Sequence, residues 1–247
     1  MTRHVGGARV ALAGHAVRYE ASGHGRPVVL VHGLGGSARW WRSTRAELGR
    51  DHRVIVPELP GFGYGRGGRR FALRDAAPVL GGLLEHLGHE RADLVGHSFG
   101  ALVCMAVAAA EPQRVRRLVL VAPPVRTASP RMVGNVLPVV RTLLRLPRAG
   151  ALTLLSDFAT KSPTAILRAA GEILALDGDA GLGGELPVPT MVMWGSRDAI
   201  VPMGGAGWLT RTLPRARVVV IPGAGHIPML DRPAQVNAAL RDFLAPD

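Results

Sequence analysis

Three polar side chains, far apart along the chain, have the types and the order that acyl transfer needs. Ser98 lies in Gly96-His97-Ser98-Phe99-Gly100. The apolar run Ala92–Val95 precedes it and the helix-like run Ala101–Ala110 follows it. This strand–turn–helix context lifts a serine out of a sharp turn and exposes its hydroxyl. Such a turn leaves little room two residues before and two after the serine, which is where the glycines stand. It also sets the hydroxyl at a helix N-terminus, whose dipole and N–H groups favour a developing oxyanion.

A serine hydroxyl is a weak nucleophile without a base beside it. His226 ends Gly223-Ala224-Gly225-His226, just after the strand-like run Val218–Ile221. A histidine past the C-terminal end of a parallel strand faces the sheet edge where open α/β sheets bind ligands. The acid that orients the base belongs between serine and histidine in chain order. Asp198, in Gly195-Ser196-Arg197-Asp198 after Met191–Trp194, stands there, 28 residues before His226. One helix and one strand fit that interval. Asp177 and Asp179 fall in a glycine-rich return, Glu185 lies at the wrong end of a strand, and Asp231 reads as a helix cap. An oxyanion hole takes the backbone N–H of the residue after the nucleophile, Phe99, and one from the loop after an early strand. That loop is His32-Gly33-Leu34-Gly35-Gly36, with Leu34 as the expected donor and His32 as a structural residue.

The elements that must position these residues are short apolar runs bounded by glycine or proline: Pro27–Val31, Arg53–Val56, Ala92–Val95, Arg117–Val121, Thr190–Trp194 and Arg217–Ile221. Continuous apolar runs of this length suit strands buried on both faces of a parallel sheet. Ala8–Ala13 and Ala16–Ala21 read as a hairpin turning at Gly14–His15. Helical periodicity separates the later strands. Trp41, Arg45 and Leu48 share one face, and Leu80, Leu83, Leu84 and Leu87 form a stripe ending at Gly88. Strands alternating with helices predict a βαβ series and an α/β fold. The alternation breaks between residues 126 and 186, where three helices are expected. One, through Met132, Val136, Val140, Leu143 and Leu144, is bent or interrupted at Pro138. A second carries Leu152, Leu155 and Phe158. A third carries Ile166, Leu167, Ala170, Ile173 and Leu174, with Ser162 as N-cap and Pro163 after it. This segment predicts a helical cap, so the chain divides into core (1–125), cap (126–186) and core (187–247). Cap leucines, with Phe158 and Met132, either line a pocket beside Ser98 or pack the cap onto the core.

The chain has 247 residues, enough for one large core, with 47% apolar and only 4% aromatic residues. Its formal net charge is +12, carried almost wholly by arginine, since Lys161 is the only lysine. The arginines are scattered, and no zinc-finger spacing or RNA-binding signature accompanies them, which excludes a nucleic-acid partner. Arg126, Arg131, Arg141, Arg145 and Arg148 fall in the cap, where they read first as solvated charges and secondly as contacts for an acidic carrier or an anionic surface. Cys104 is the single cysteine, sits in an apolar run and reads as a small buried hydrophobe, so no intramolecular disulfide forms. No apolar run is long enough for a transmembrane segment, no leader pattern opens the chain, and the expected location is cytoplasmic. Nothing in these motifs sets the oligomeric state.

The chain resembles the serine-nucleophile, esterase- and lipase-like branch of the α/β-hydrolase superfamily over nearly its whole length. The early hairpin carries the resemblance, with His32-Gly33-Leu34-Gly35-Gly36, Pro57-Glu58-Leu59-Pro60-Gly61-Phe62-Gly63 and Gly96-His97-Ser98-Phe99-Gly100. Trp194-Gly195-Ser196-Arg197-Asp198 and Gly223-Ala224-Gly225-His226-Ile227-Pro228 complete it, in the family's order. The resemblance implies a mostly parallel eight-stranded sheet flanked by helices, a small cap, and no required cofactor; no metal site is read. Glu58 stands where the family often has Asp, Gly65 where it often has serine, and Ala101 where many relatives carry glycine. Ser98 argues against the dehalogenases and epoxide hydrolases of the superfamily, which use Asp. The expected activity is hydrolysis of a carboxylic ester or thioester of a largely apolar small molecule. Alternatives on the same fold are a lyase, cyclase or acyltransferase, including carbon–carbon bond chemistry, and a non-catalytic ligand-binding module.

Overall fold

The computed structural model describes residues 5–60, 71–124, 136–161, 186–203 and 213–245, together with positions 164, 166, 167, 170, 171 and 173. Eight strands form one sheet in the order β1-β2-β4-β3-β5-β6-β7-β8. They are β1 (Val5–Leu12), β2 (His15–Ser22), β3 (Arg26–Val31), β4 (His52–Glu58), β5 (Ala92–His97), β6 (Val115–Val121), β7 (Thr190–Gly195) and β8 (Arg217–Ile221). β2 runs antiparallel to both β1 and β4, and every later pairing is parallel. The α/β order of elements expected from the residue pattern and the mostly parallel eight-stranded sheet implied by the resemblance are borne out.

The helices are α1 (Arg42–Leu48), which continues a 3-10 turn at Ala38–Trp41, then α2 (Ala76–His86), α3 (Phe99–Ala110), α4 (Val136–Arg145), α5 (Arg148–Thr160), α6 (Pro228–Asp231) and α7 (Pro233–Leu244). They cover both faces of the sheet. Val29 and Val31 of β3 join the core under α2 and α3, with Leu80, Leu84, Phe99 and Val103. Val28 and Leu30 point the other way, into the core under α1 and α7, with Trp41, Leu48, Val236 and Leu240. Alternate side chains of one strand feeding two cores is the reason the run Val28–Val31 contains no polar residue. Cys104 is fully buried in the first core, and burial pushes its thiol pKa up.

Four local expectations need correction. The hairpin turns at Ala13–Gly14, one residue earlier than expected. Both residues have positive φ, 48° and 79°, as a two-residue turn of this hand requires, and His15 already pairs with Leu12. α4 runs uninterrupted through Pro138, because the proline lies in the first turn, where no amide has an intrahelical acceptor. The stripe Leu152, Leu155 and Phe158 is exposed, while α5 buries Gly150, Leu154 and Asp157 instead. Asp231 ends α6, and Arg232 holds the N-cap position of α7, so Asp231 is not that helix's cap. Met132, Ser162, Pro163 and Leu174, with Gly61–Gly63 and Gly65, lie outside the described residues.

Candidate active site

β3 lies between β4 and β5, so the chain crosses from one side of the sheet to the other there. Such a switch point opens a crevice at the C-terminal strand ends. The loops after β3, β5, β7 and β8 leave the sheet on this edge.

Ser98 follows β5 and has φ 51° and ψ −118°, a conformation rare for a residue with a Cβ. Its N–H donates to the Val121 carbonyl at 2.8 Å, and its own carbonyl accepts from Ala101 at 2.8 Å as α3 begins. The turn is closed to anything larger than glycine on either side. A Cβ at Gly96 would sit 2.2 Å from the Gly100 carbonyl oxygen, and one at Gly100 would sit 2.5 Å from the carbonyl oxygens of Val31 and His32. The second contact presses the start of α3 against the end of β3, beside the loop that carries Leu34. That loop turns at Gly33–Gly36, where the Gly36 N–H donates to the Gly33 carbonyl at 3.0 Å and Gly35 has φ 69°. Phe99, the other expected amide donor, is the first residue of α3 and is buried.

The three side chains singled out from the sequence meet in series. His226 Nδ1 is 2.8 Å from Asp198 Oδ2, and His226 Nε2 is 3.2 Å from Ser98 Oγ. All three residues are buried. Asp198 Oδ1 accepts from the amides of Ile200 (2.9 Å) and Val201 (2.8 Å), which turns Oδ2 toward the imidazole. A carboxylate oxygen accepts, so Nδ1 carries the proton and Nε2 presents its lone pair to the serine hydroxyl. The loops that carry Asp198 and His226 are bound to each other. Arg197 N–H donates to the Ala224 carbonyl at 2.8 Å, and Gly223 N–H donates to Ser196 Oγ at 2.8 Å. A Cβ at Gly195 would lie 2.2 Å from the Gly225 carbonyl oxygen, so only glycine allows these loops to touch. Asp231 Oδ2 accepts from Gly225 N–H at 2.8 Å and braces the turn before His226. Asp177, Asp179 and Glu185 lie outside the described residues.

Two neighbouring histidines are neutral. Burial pushes the His97 pKa well below its ordinary value, and the charge of nearby His226 lowers it further. Its Nε2–H donates to the His226 carbonyl at 2.8 Å, so the residue next to Ser98 holds the backbone of His226. Its ring also lies against the His226 and Trp40 rings. His32 is likewise pushed down by burial. It donates from Nδ1 to the Gly33 carbonyl at 2.8 Å and accepts at Nε2 from Leu59 N–H at 3.1 Å, which is a structural role.

α5 reaches into this region through polar contacts that apolar periodicity does not reveal. Asp157 Oδ2 accepts from Ser37 Oγ and Trp40 Nε1, both at 2.8 Å, and Oδ1 pairs with the Arg39 guanidinium. All three donors stand just past the Leu34 turn. The Phe158 ring packs on Gly35, 3.1 Å from where a Cβ would be. Lys161 Nζ lies 3.6 Å from Glu58 Oε2, while Glu58 Oε1 accepts from Ala38 N–H at 2.9 Å. Sequence reading missed His97, Asp157 and Lys161. The available signal was charge at positions spaced as core: Gly150, Leu154, Asp157 and Lys161 follow one helical face. Among the described residues, no group of three or more His, Cys, Asp or Glu is placed to hold a metal ion. No helix there is long and apolar enough to cross a membrane.

The model of the alpha/beta hydrolase family matches residues 28–239. The dihydrolipoyllysine-residue acetyltransferase component of the acetoin cleaving system of Pseudomonas putida is 32% identical over 248 residues. That match covers 92% of this chain and 65% of the relative, so the chain spans about two thirds of that protein. A 2-hydroxymuconate semialdehyde hydrolase from a Pseudomonas species is 30% identical over 268 residues, covering 97% of this chain and 94% of the relative. Among solved structures, a thermophilic esterase from Thermogutta terrifontis superposes with a TM-score of 0.83 at 28% identity, covering 97% of this chain and 98% of that one.

Proposed function

The chain belongs to the alpha/beta hydrolase family, and from that premise we propose that it hydrolyses a carboxylic ester or thioester of a largely apolar small molecule through an acyl-enzyme. One observation carries the reading: the unbroken series Asp198 Oδ2, His226 Nδ1, His226 Nε2, Ser98 Oγ at 2.8 and 3.2 Å. The likeness to a solved esterase at 28% identity supports it.

In this reading Ser98 Oγ attacks the acyl carbonyl while His226 Nε2 takes the hydroxyl proton. Asp198 holds the imidazole in its productive tautomer and stabilises the imidazolium. The amides of Leu34 and Phe99 receive the oxyanion, each such donor being worth about 3 kcal/mol in comparable sites. His226 returns the proton to the departing alcohol or thiol, then activates water to cleave the acyl–Ser98 bond. Helices α4 and α5 belong to a cap, within residues 126–186, that bounds the acyl side of the site.

The test is a panel of p-nitrophenyl esters of increasing acyl length, run on the wild-type chain and on Ser98→Ala. Turnover in the variant falls by more than about a thousandfold, as expected when a member of such a series is removed. A fluorophosphonate labels Ser98 in the wild type. Ester turnover by Ser98→Ala at the wild-type rate removes the serine from its role. A wild type that takes the label yet turns over no ester assigns the site to non-hydrolytic chemistry.

A further inference from the structure

The outer face of α4 and α5 is apolar where a surface helix is ordinarily polar. Leu144 is 79% exposed and Leu152 67%, and Leu137, Val140 and Leu155 are exposed beside them. On α4, positions 137, 140 and 144 follow one helical stripe, opposite the buried Thr142. On α5, positions 152 and 155 lie opposite Gly150, Leu154 and Asp157, which face the core. Five exposed aliphatic side chains on two successive helices are more than the scattered apolar residues a surface normally carries.

Along the described residues of these two helices the exposed charge has one sign. Between Glu111 and Asp157 the sequence contains no acidic residue, and Asp157 is itself buried against Ser37, Arg39 and Trp40. Arg141 and Arg145 are exposed at the edge of the α4 stripe, and Arg148 opens α5 in line with Leu152. A second copy of this chain, meeting the face through a two-fold axis, would gather these arginines in one interface, with no exposed carboxylate among the described residues of the two helices to offset them. An anionic lipid surface satisfies both features at once. Leucines enter the acyl boundary, and arginines lie on their aliphatic stems with the guanidinium among the headgroups.

We propose that the outer face of α4 and α5 is a docking surface for an anionic lipid bilayer. The face adjoins the rim of the candidate site. Arg145 donates to the Arg197 carbonyl at 2.7 Å, one residue before Asp198, and Phe158 packs on the Leu34 loop at Gly35. Docking sets that rim at the interface, where an apolar ester accumulates. This last consequence rests on the esterase reading, whereas docking itself does not.

The test is co-sedimentation of the full chain with vesicles, either equal parts phosphatidylglycerol and phosphatidylcholine or phosphatidylcholine alone. The variants are Leu144→Ser with Leu152→Ser, and Arg141→Gln with Arg148→Gln. These positions lie outside the candidate catalytic residues, and melting temperature serves as the control for folding. The wild type sediments with the anionic vesicles and not with the neutral ones, and salt at roughly 1 M, where the Debye length is about 3 Å, weakens the association. Each arginine removed lowers affinity about fivefold, and the leucine pair about tenfold or more. No preference for anionic vesicles, or variants that bind as the wild type does, overturns the proposal. Lipid-independent self-association lost in the leucine pair also overturns it and assigns the face to a subunit contact. None of these readouts requires ester turnover, so failure here and failure of the esterase reading are separate results.

Discussion

Ser98 can sit at φ 51° because glycines at 96 and 100 leave room for the turn to close, and its amide is committed to Val121. That local strain is visible in the sequence as a pair of glycines, which is why the turn was legible there. His97 was not legible in the same way. In the pentapeptide it occupies a position that tolerates many residues, and its task depends on a carbonyl 129 residues away. We expect His97→Leu to lower kcat on a short p-nitrophenyl ester about tenfold, with KM within about twofold, since the base loop loses its tether and sub-ångström placement governs such steps. His97→Gln, whose amide also donates, restores part of the loss. Steady-state kinetics on the two variants checks this. Equal rates in all three proteins would make the contact incidental.

At the level of elements, strands were legible because each apolar run serves two cores, as Val28–Val31 does. The cap helices were less so. Their most exposed apolar stripe faces outward, and their attachment to the core combines Leu146 and Leu154 with polar contacts. Asp157 gathers a hydroxyl, an indole N–H and a guanidinium from one short stretch, Ser37–Trp40. Removing the carboxylate leaves Trp40 Nε1 buried without an acceptor, although Arg39 is half exposed and regains water. Asp157→Ala therefore costs about 3 kcal/mol, the upper part of the range for a buried donor left without its acceptor. In a chain of this size that is a fall in melting temperature on the order of 10 °C. Asp157→Asn, which keeps one acceptor, falls less. Differential scanning calorimetry on the two variants decides it.

For the whole molecule, the order of strands in the sheet could not be read from spacing, because it depends on which connections cross over. The pH response follows from groups the fold keeps uncharged. His32 and His97 titrate below their ordinary value when folded, and near 6.5 when unfolded. The unfolded chain binds their protons first as pH drops. Stability is therefore fully present above about pH 6.5 and is lost as pH falls toward the folded values. Asp93, buried at the start of β5, works in the opposite sense. Burial raises its carboxyl pKa although Arg116 lies 3.7 Å away, so its protonation relieves the fold in acid. Three histidines, counting partly buried His89, against one carboxylate predict a melting temperature that declines from pH 7 to pH 5, with a shallower slope in His97→Gln. Thermal melts across that interval would contradict this by staying flat.

The sheet also sets how the candidate site is divided. β7 and β8 are neighbours, and their loops are laced together through Arg197, Ala224, Ser196 and Gly223, whereas β6 intervenes between them and β5. Asp198 and His226 thus travel as one piece, and Ser98 arrives on another. His97 is a strut across that seam, so any breathing of the sheet opens the joint between hydroxyl and imidazole before it disturbs the carboxylate's grip.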